Sequence, residues 1–156
     1  MIFSNDLIIK ILDYIDNNLY KKISIDDLSN NFHYNKDYIM RLFKKEIGLT
    51  IVDYINKKRI FNSLNSFKSS SYSILNIAIN YGFYSQEYYS ETFHKIIGTA
   101  PMNYYKFVHL NKSLDYKTIY KIQKSISELD YLMRKIKEYT YNIPPKSSVK
   151  KLSVFK

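Results

Sequence analysis

Cysteine and tryptophan are absent from this chain of 156 residues, and glycine and proline occur three times each. Without cysteine there are no disulfides, thiol nucleophiles or thiolate metal sites. The three histidines are His33, His94 and His109, and no two share an i, i+4 helical face, which argues against a metal centre. There is no glycine-rich phosphate loop and no Gly-x-Ser-x-Gly elbow. The chain therefore reads as a non-enzyme with no cofactor. No apolar run approaches the ~20 residues of a membrane helix. The opening "MIFSNDLIIK" lacks a basic region followed by an apolar run, so it is not a signal peptide. Together these absences point to a soluble protein of the cytoplasm with no membrane partner.

What is abundant is aromatic residues and positive charge. The 17 Tyr and 9 Phe can fill a packed core, and the formal net charge is +10. That charge is unevenly placed. Residues 1–34 are net −2, 35–60 net +4, 61–110 net +1 and 111–156 net +7. Two basic segments on an otherwise balanced chain suggest a polyanion partner, nucleic acid or an anionic membrane surface.

Apolar spacing is helical almost throughout. Leu7, Ile8, Ile11, Leu12 and Ile15 form a stripe for a first helix starting near Asn5. Ser24, with Asp27 three residues on, caps a short helix over about 25–31. Asn35 caps a third helix, and Gly48 can end it in the left-handed region. From Thr50 the run "IVDYINKKRIFNSLNSF" has no internal Gly or Pro and predicts one long connecting helix over 50–67, stopped by "KSSSYS".

The order then recurs. Ser73 caps "ILNIAIN", a turn with Gly82 follows, Ser85 caps another helix, and Gly98 ends it before a short helix from Pro101. "DYIMRLFKKEIG" (37–48) and "EYYSETFHKIIG" (87–98) align without a gap and share Tyr, Phe, Lys, Ile and Gly. Ser24 to Ser73 spans 49 residues while Phe43 to Phe93 spans 50, so the second turn holds one extra residue. The predicted fold is all-α, with helix-turn-helix units at 24–47 and 73–97.

A capped amphipathic helix following a short helix and turn is the architecture of a major-groove reader. If Ile39, Leu42, Phe43 and Ile47 face inward, the outer face of the first unit carries Lys36, Asp37, Met40, Arg41, Lys44 and Lys45. Arg near the start of such a helix can bond guanine O6 and N7, and the lysines can sit on phosphates.

The markers "ISIDDLS", "YIMRLFKKEIGLT", "YINKKRI", "SILNIAINYGF" and "GTAPMNYY" resemble the DNA-binding region of AraC/XylS-type transcription regulators, over about residues 5–106. The resemblance implies a domain over 4–108 that reads double-stranded DNA with two helices in successive major-groove segments on one face. The groove-facing positions carried over are Asp37, Met40 and Arg41 in the first unit and Gln86, Glu87, Ser90 and Glu91 in the second. Lys36, Lys44, Lys45, Thr50 and Lys95 are the expected phosphate contacts. RNA polymerase is a further partner to consider for such a regulator, and a bacterial, nucleoid-associated location follows. The chain resembles the short stand-alone members of the family.

Departures from the family pattern gather in the second unit. Glu91 and His94 stand where basic residues are common, and Ala100 and Tyr105 replace the usual hydroxyl and Arg of the closing motif. The first copy is thus expected to hold and read DNA, while the second contacts it weakly or favours cytosine. The alternative reading is a helical protein-interaction module with weakened DNA reading, supported by Asp37, Glu87 and Glu91. Beyond the family region, a C-terminal helix is predicted over 111–141. Ile119, Ile122, Ile126, Leu129, Met133 and Ile136 form its heptad seam, which Tyr116, Leu132 and Tyr139 can widen. That seam suits either packing onto the domain or a homodimeric coiled coil. Residues 142–156 form a basic tail.

Overall fold

The computed structural model describes residues 4–69, 71, 73–109 and 114–142, and among these every regular element is helical. The first helix, α1 (Ser4–Asn17), buries Leu7, Ile8, Ile11, Leu12 and Ile15, the stripe its spacing predicts. Helix α2 (Ile25–Phe32) starts on a complete capping box. Ser24 Oγ accepts from the Asp27 N–H at 3.1 Å, and the Asp27 carboxylate accepts from the Ser24 N–H at 2.9 Å. The second of these bonds holds the Asp27 carboxyl below its ordinary value. Helix α3 (Lys36–Ile47) follows a tight turn in which His33 takes φ 59°, the left-handed conformation that closes α2.

Helix α4 (Ile51–Ser63) begins on Thr50, whose hydroxyl accepts from the Asp53 N–H at 3.1 Å. It is shorter than the rod expected over 50–67. The α-helix stops at Ser63 and continues as a tighter 3-10 segment over Leu64–Lys68. Ser63 Oγ donates back to the Ile60 carbonyl at 2.7 Å and lies 2.8 Å from the buried Tyr89 hydroxyl. Such back-bonding bends a helix. The tightened segment turns Leu64 and Phe67 into the second core.

The second unit repeats the first with α5 (Ile74–Asn80) and α6 (Gln86–Ile97), followed by α7 (Pro101–His109). Its cap-to-cap length, Ser73 to Ser85, exceeds Ser24 to Asn35 by the one residue expected. Gly82, at φ 89°, takes the left-handed place that His33 holds in the first turn.

Two cores result. Leu28, Ile39, Leu42, Phe43 and Tyr54 pack with the α1 stripe, and Phe67, Ala78, Tyr89, Phe93, Ile97 and Tyr104 form the other. The last helix, α8 (Tyr116–Asn142), belongs to both. Ile122 and Leu129 are buried in the second core and Ile136 in the first. Three of the six seam side chains, Ile122, Leu129 and Ile136, are therefore buried within the chain, as the packing alternative expects, while Ile119, Ile126 and Met133 are half-buried. Leu132 and Tyr139 widen the stripe as expected, while Tyr116 is exposed. The basic tail from residue 143 onward lies outside the described residues.

Candidate nucleic-acid interface

Helix α3 divides cleanly. Ile39, Leu42 and Phe43 are buried, while Lys36, Asp37, Met40, Arg41, Lys44 and Lys45 are exposed. Its start is fixed by Asn35 Oδ1, which accepts from the Asp37 N–H at 2.8 Å. Its end is fixed by Gly48 at φ 85°, whose N–H donates to the Lys44 carbonyl at 2.9 Å. Asp37, Met40, Arg41 and Lys44 share the outermost face, since positions three and four apart coincide on a helix. Arg41 Nε donates to the Asp37 carbonyl at 3.3 Å, which lays the guanidinium along the helix toward its N-terminal end. Lys36 is ion-paired with Asp26 of α2, so this expected phosphate contact already has an acidic neighbour across the turn. Lys44 Nζ donates to the Gly48 carbonyl at 3.2 Å, and Lys45 stays exposed.

Helix α6 has the same construction with different surface chemistry. Ser85 Oγ accepts from the Tyr88 N–H at 3.0 Å, and Gly98 at φ 90° closes it with an N–H donated to the His94 carbonyl at 2.9 Å. Its outward face carries the exposed Glu87, Glu91 and His94, with Ser90 and Gln86 half-buried among them. Where α3 presents Arg41 and Lys44, α6 presents Glu91 and His94. Lys95 stands on the flank facing the linker helix, in a cleft lined also by Asp53, Asn56, Lys57 and Thr92.

The duplication reaches further than the two aligned strings. Tyr34 stacks on Tyr38 with ring centroids 5.5 Å apart, and Tyr84 stacks on Tyr88 at 4.9 Å. These clasps brace each turn against its recognition helix. Their signal is readable in "YNKDY" at 34–38 and "YSQEY" at 84–88, three residues upstream of the aligned copies.

Arg59 is the residue that sequence reasoning passed over. It is 8% exposed, donates through Nε to the Leu19 carbonyl at 2.7 Å and through Nη2 to the Lys21 carbonyl at 2.8 Å, and lies 5.8 Å from the Phe83 ring centroid. From the linker helix it thus ties the segment after α1 to the turn of the second unit. Gly82 completes that junction, because a Cβ there would stand 2.9 Å from Tyr20 Cα and 3.0 Å from Arg59 Nε.

A family model described as a helix-turn-helix domain matches residues 28–106. The TetD protein of transposon Tn10 from Escherichia coli is 34% identical over 102 residues, covering 65% of this chain and 74% of that protein. The multiple antibiotic resistance protein MarA of Escherichia coli K12 is 34% identical over 94 residues, covering 60% and 74%. The chain belongs to the AraC/XylS family of transcription regulators.

Solved structures agree on the fold. The DNA-binding domain of AdpA, determined in complex with a target DNA, superposes with a TM-score of 0.61 at 16% identity, over 69% of this chain and 97% of that one. A protein of unknown function from Listeria innocua gives a TM-score of 0.59 at 30% identity, over 63% and 93%. As an AraC/XylS-type regulator the chain is a sequence-specific DNA-binding protein, built on the two helix-turn-helix units described above. Helix α8 lies beyond the matched span. No described helix is long and apolar enough to cross a membrane.

The family's usual hydroxyl at the start of α7 is replaced by Ala100, so that helix lacks a side-chain cap there. Thr99 compensates in part: it is buried, and its Oγ1 accepts from Asn103 Nδ2 at 2.6 Å, which holds the first turn of α7 from the preceding residue.

Proposed function

We propose that this regulator inserts α3 and α6 into successive major-groove segments on one face of double-stranded DNA, and that α3 carries most of the reading. The observation behind this is the asymmetry of two like-built helices, one presenting Arg41, Lys44 and Lys45 and the other Glu87 and Glu91. In this reading Asp37, Met40 and Arg41 meet base edges in the first half-site. Gln86, Glu87, Ser90 and Glu91 meet the second, where a carboxylate accepts from a cytosine N4 donor. Lys44 and Lys45 hold phosphates, as do the exposed first turn of α4 behind Thr50 and, from the flank, Lys95. Lys36 joins them once DNA competes with Asp26. The acidic residues of α6 make it the weaker reader; they do not turn the domain into an interaction module.

No catalytic step belongs to this role. A regulator so bound acts through RNA polymerase, its expected second partner, and works in the cytoplasm at the nucleoid. The intramolecular burial of Ile122, Leu129 and Ile136 supports a monomer as the binding species. Selection of sites from a random duplex pool with the full chain tests the reading. A bipartite site whose two halves lie about one helical turn apart, ~34 Å, is expected, with stronger base preference in the half met by α3. A single uninterrupted half-site, or stronger preference in the other half, would overturn it.

A further inference from the structure

Helix α8 touches the C-terminal ends of both recognition helices. At its N-terminal half, Lys121 and Ser125 lie against Gly98, the residue that closes α6: a Cβ built on Gly98 comes within 3.7 Å of Ser125 Oγ and 3.8 Å of Lys121 Cβ. Ile122 and Leu129 enter the core that holds Phe93 and Ile97 of α6. At its C-terminal half, the Tyr139 hydroxyl donates to Oε2 of Glu46, the next-to-last residue of α3, at 3.3 Å, and Leu132 and Ile136 pack in the core that holds Leu42 and Phe43. One unbroken helix therefore has a foot on each reading helix. Its anchors Ile122 and Ile136 lie fourteen residues apart, about 21 Å at 1.5 Å per residue.

We propose that α8 is a spacing brace: it fixes the separation and relative rotation of α3 and α6, and so the half-site spacing this regulator accepts. The inference rests on the two-helix reading above and adds a determinant outside the matched family domain. Helix α4 runs unbroken from Tyr54 and Ile55 in the first core to Ile60 in the second, so it is one connection between the units, and α8 adds a second, independent one. A side of a triangle is stiffened by closing it, and α8 closes this one at the ends of α3 and α6. One added base pair moves a half-site by about 3.4 Å and turns it by about 34°. A braced pair of helices cannot follow that step without bending the DNA.

The test uses the full chain and its selected site, together with the same half-sites separated by one base pair more or fewer. The double variant Ile136→Ala/Tyr139→Ala removes the buried anchor and the hydroxyl contact that hold α8 on the first unit and leaves Ile122 and Leu129 anchored in the second. Wild type is expected to bind the altered spacings at least roughly tenfold more weakly than the selected one, and the variant only about threefold more weakly, with affinity for the selected spacing nearly kept. A uniform loss on all three duplexes would show α8 to be a fold stabiliser only, and unchanged discrimination would show it to be idle; either overturns the brace. If thermal unfolding shows the double variant unfolded, Tyr139→Ala alone carries the same comparison. Failure to select any bipartite site would instead remove the two-helix reading, and the brace with it.

Discussion

Arg41 occupies the position where side-chain geometry and helix placement agree best. Its guanidinium is exposed and lies along the N-terminal half of α3, where a bidentate bond to guanine needs it. Arg41→Ala should therefore cost about 1–3 kcal/mol on the selected site and little on random duplex, measured by fluorescence anisotropy. Lys45→Ala should weaken both alike and reduce the slope of log K against log salt by about 1. Equal losses for Arg41→Ala on both duplexes would reassign it to phosphate. Glu91 is the mirror case in α6. Glu91→Arg should raise affinity for all DNA, because it replaces a repulsion of the phosphate backbone with an attraction. A fall in affinity with loss of preference at one base pair would make Glu91 a true cytosine contact.

Elements in this fold are defined at their ends, and the ends give the clearest stability predictions. Helix α7 starts without a hydroxyl at Ala100, whereas Ser24, Thr50, Ser73 and Ser85 cap their helices through side-chain oxygens. Ala100→Ser should stabilise the protein by about 1 kcal/mol in urea unfolding, and by less to the extent that the Thr99–Asn103 bond already substitutes. The helix-closing glycines separate strain from crowding. A Cβ on Gly48 meets nothing within 4 Å, so Gly48→Ala should cost about 1 kcal/mol from its φ of 85° alone. Gly82→Ala adds a backbone contact at 2.9 Å to a similar φ, and its loss should exceed about 2 kcal/mol. Equal losses at the two sites would show that the Tyr20–Gly82 junction is slack.

At the scale of the whole molecule, the Arg59–Gly82 contact within the family domain and α8 outside it both join the units. Tyr139 reports on the second. Burial first, and then the Glu46 carboxylate, push its phenol from 10.0 up to about 12. A folded-state value above the unfolded one means that the neutral phenol is favoured by folding. The contribution is therefore fully present below pH 10 and is lost as pH climbs from there toward 12. The stability difference between wild type and Tyr139→Phe should shrink through that window in denaturant titrations. A difference that stays constant would mean that Tyr139 is not docked on α3. The charge distribution belongs to this scale as well. With a net charge of +10, general affinity for DNA should fall steeply with salt, while the preference for the selected site persists.

Most of the local structure was legible in the residues themselves. Caps at Ser24, Asn35, Ser73 and Ser85, left-handed closures at Gly48 and Gly98, the buried stripes of α1 and α3 and the extra residue in the second turn all depend on neighbours within a few positions. Helical periodicity and capping chemistry act at that range. The exposed faces of α3 and α6 followed from the same periodicity, because burying Ile39 and Phe43 leaves Asp37 and Arg41 outside. Interactions across the fold were not legible. Nothing near Lys36 announces Asp26, nothing near Arg59 announces the Leu19 and Lys21 carbonyls, and nothing near Ser63 announces Tyr89, yet these contacts pair a predicted DNA ligand, join the two units and end the linker helix early. The same limit applied to α8. A seam of Ile122, Leu129 and Ile136 is satisfied equally by a second copy or by its own domain, since burial of apolar area has no directional preference. Only the tertiary structure shows how the seam is used within this chain, because its two cores present an apolar surface that Ile122, Leu129 and Ile136 cover.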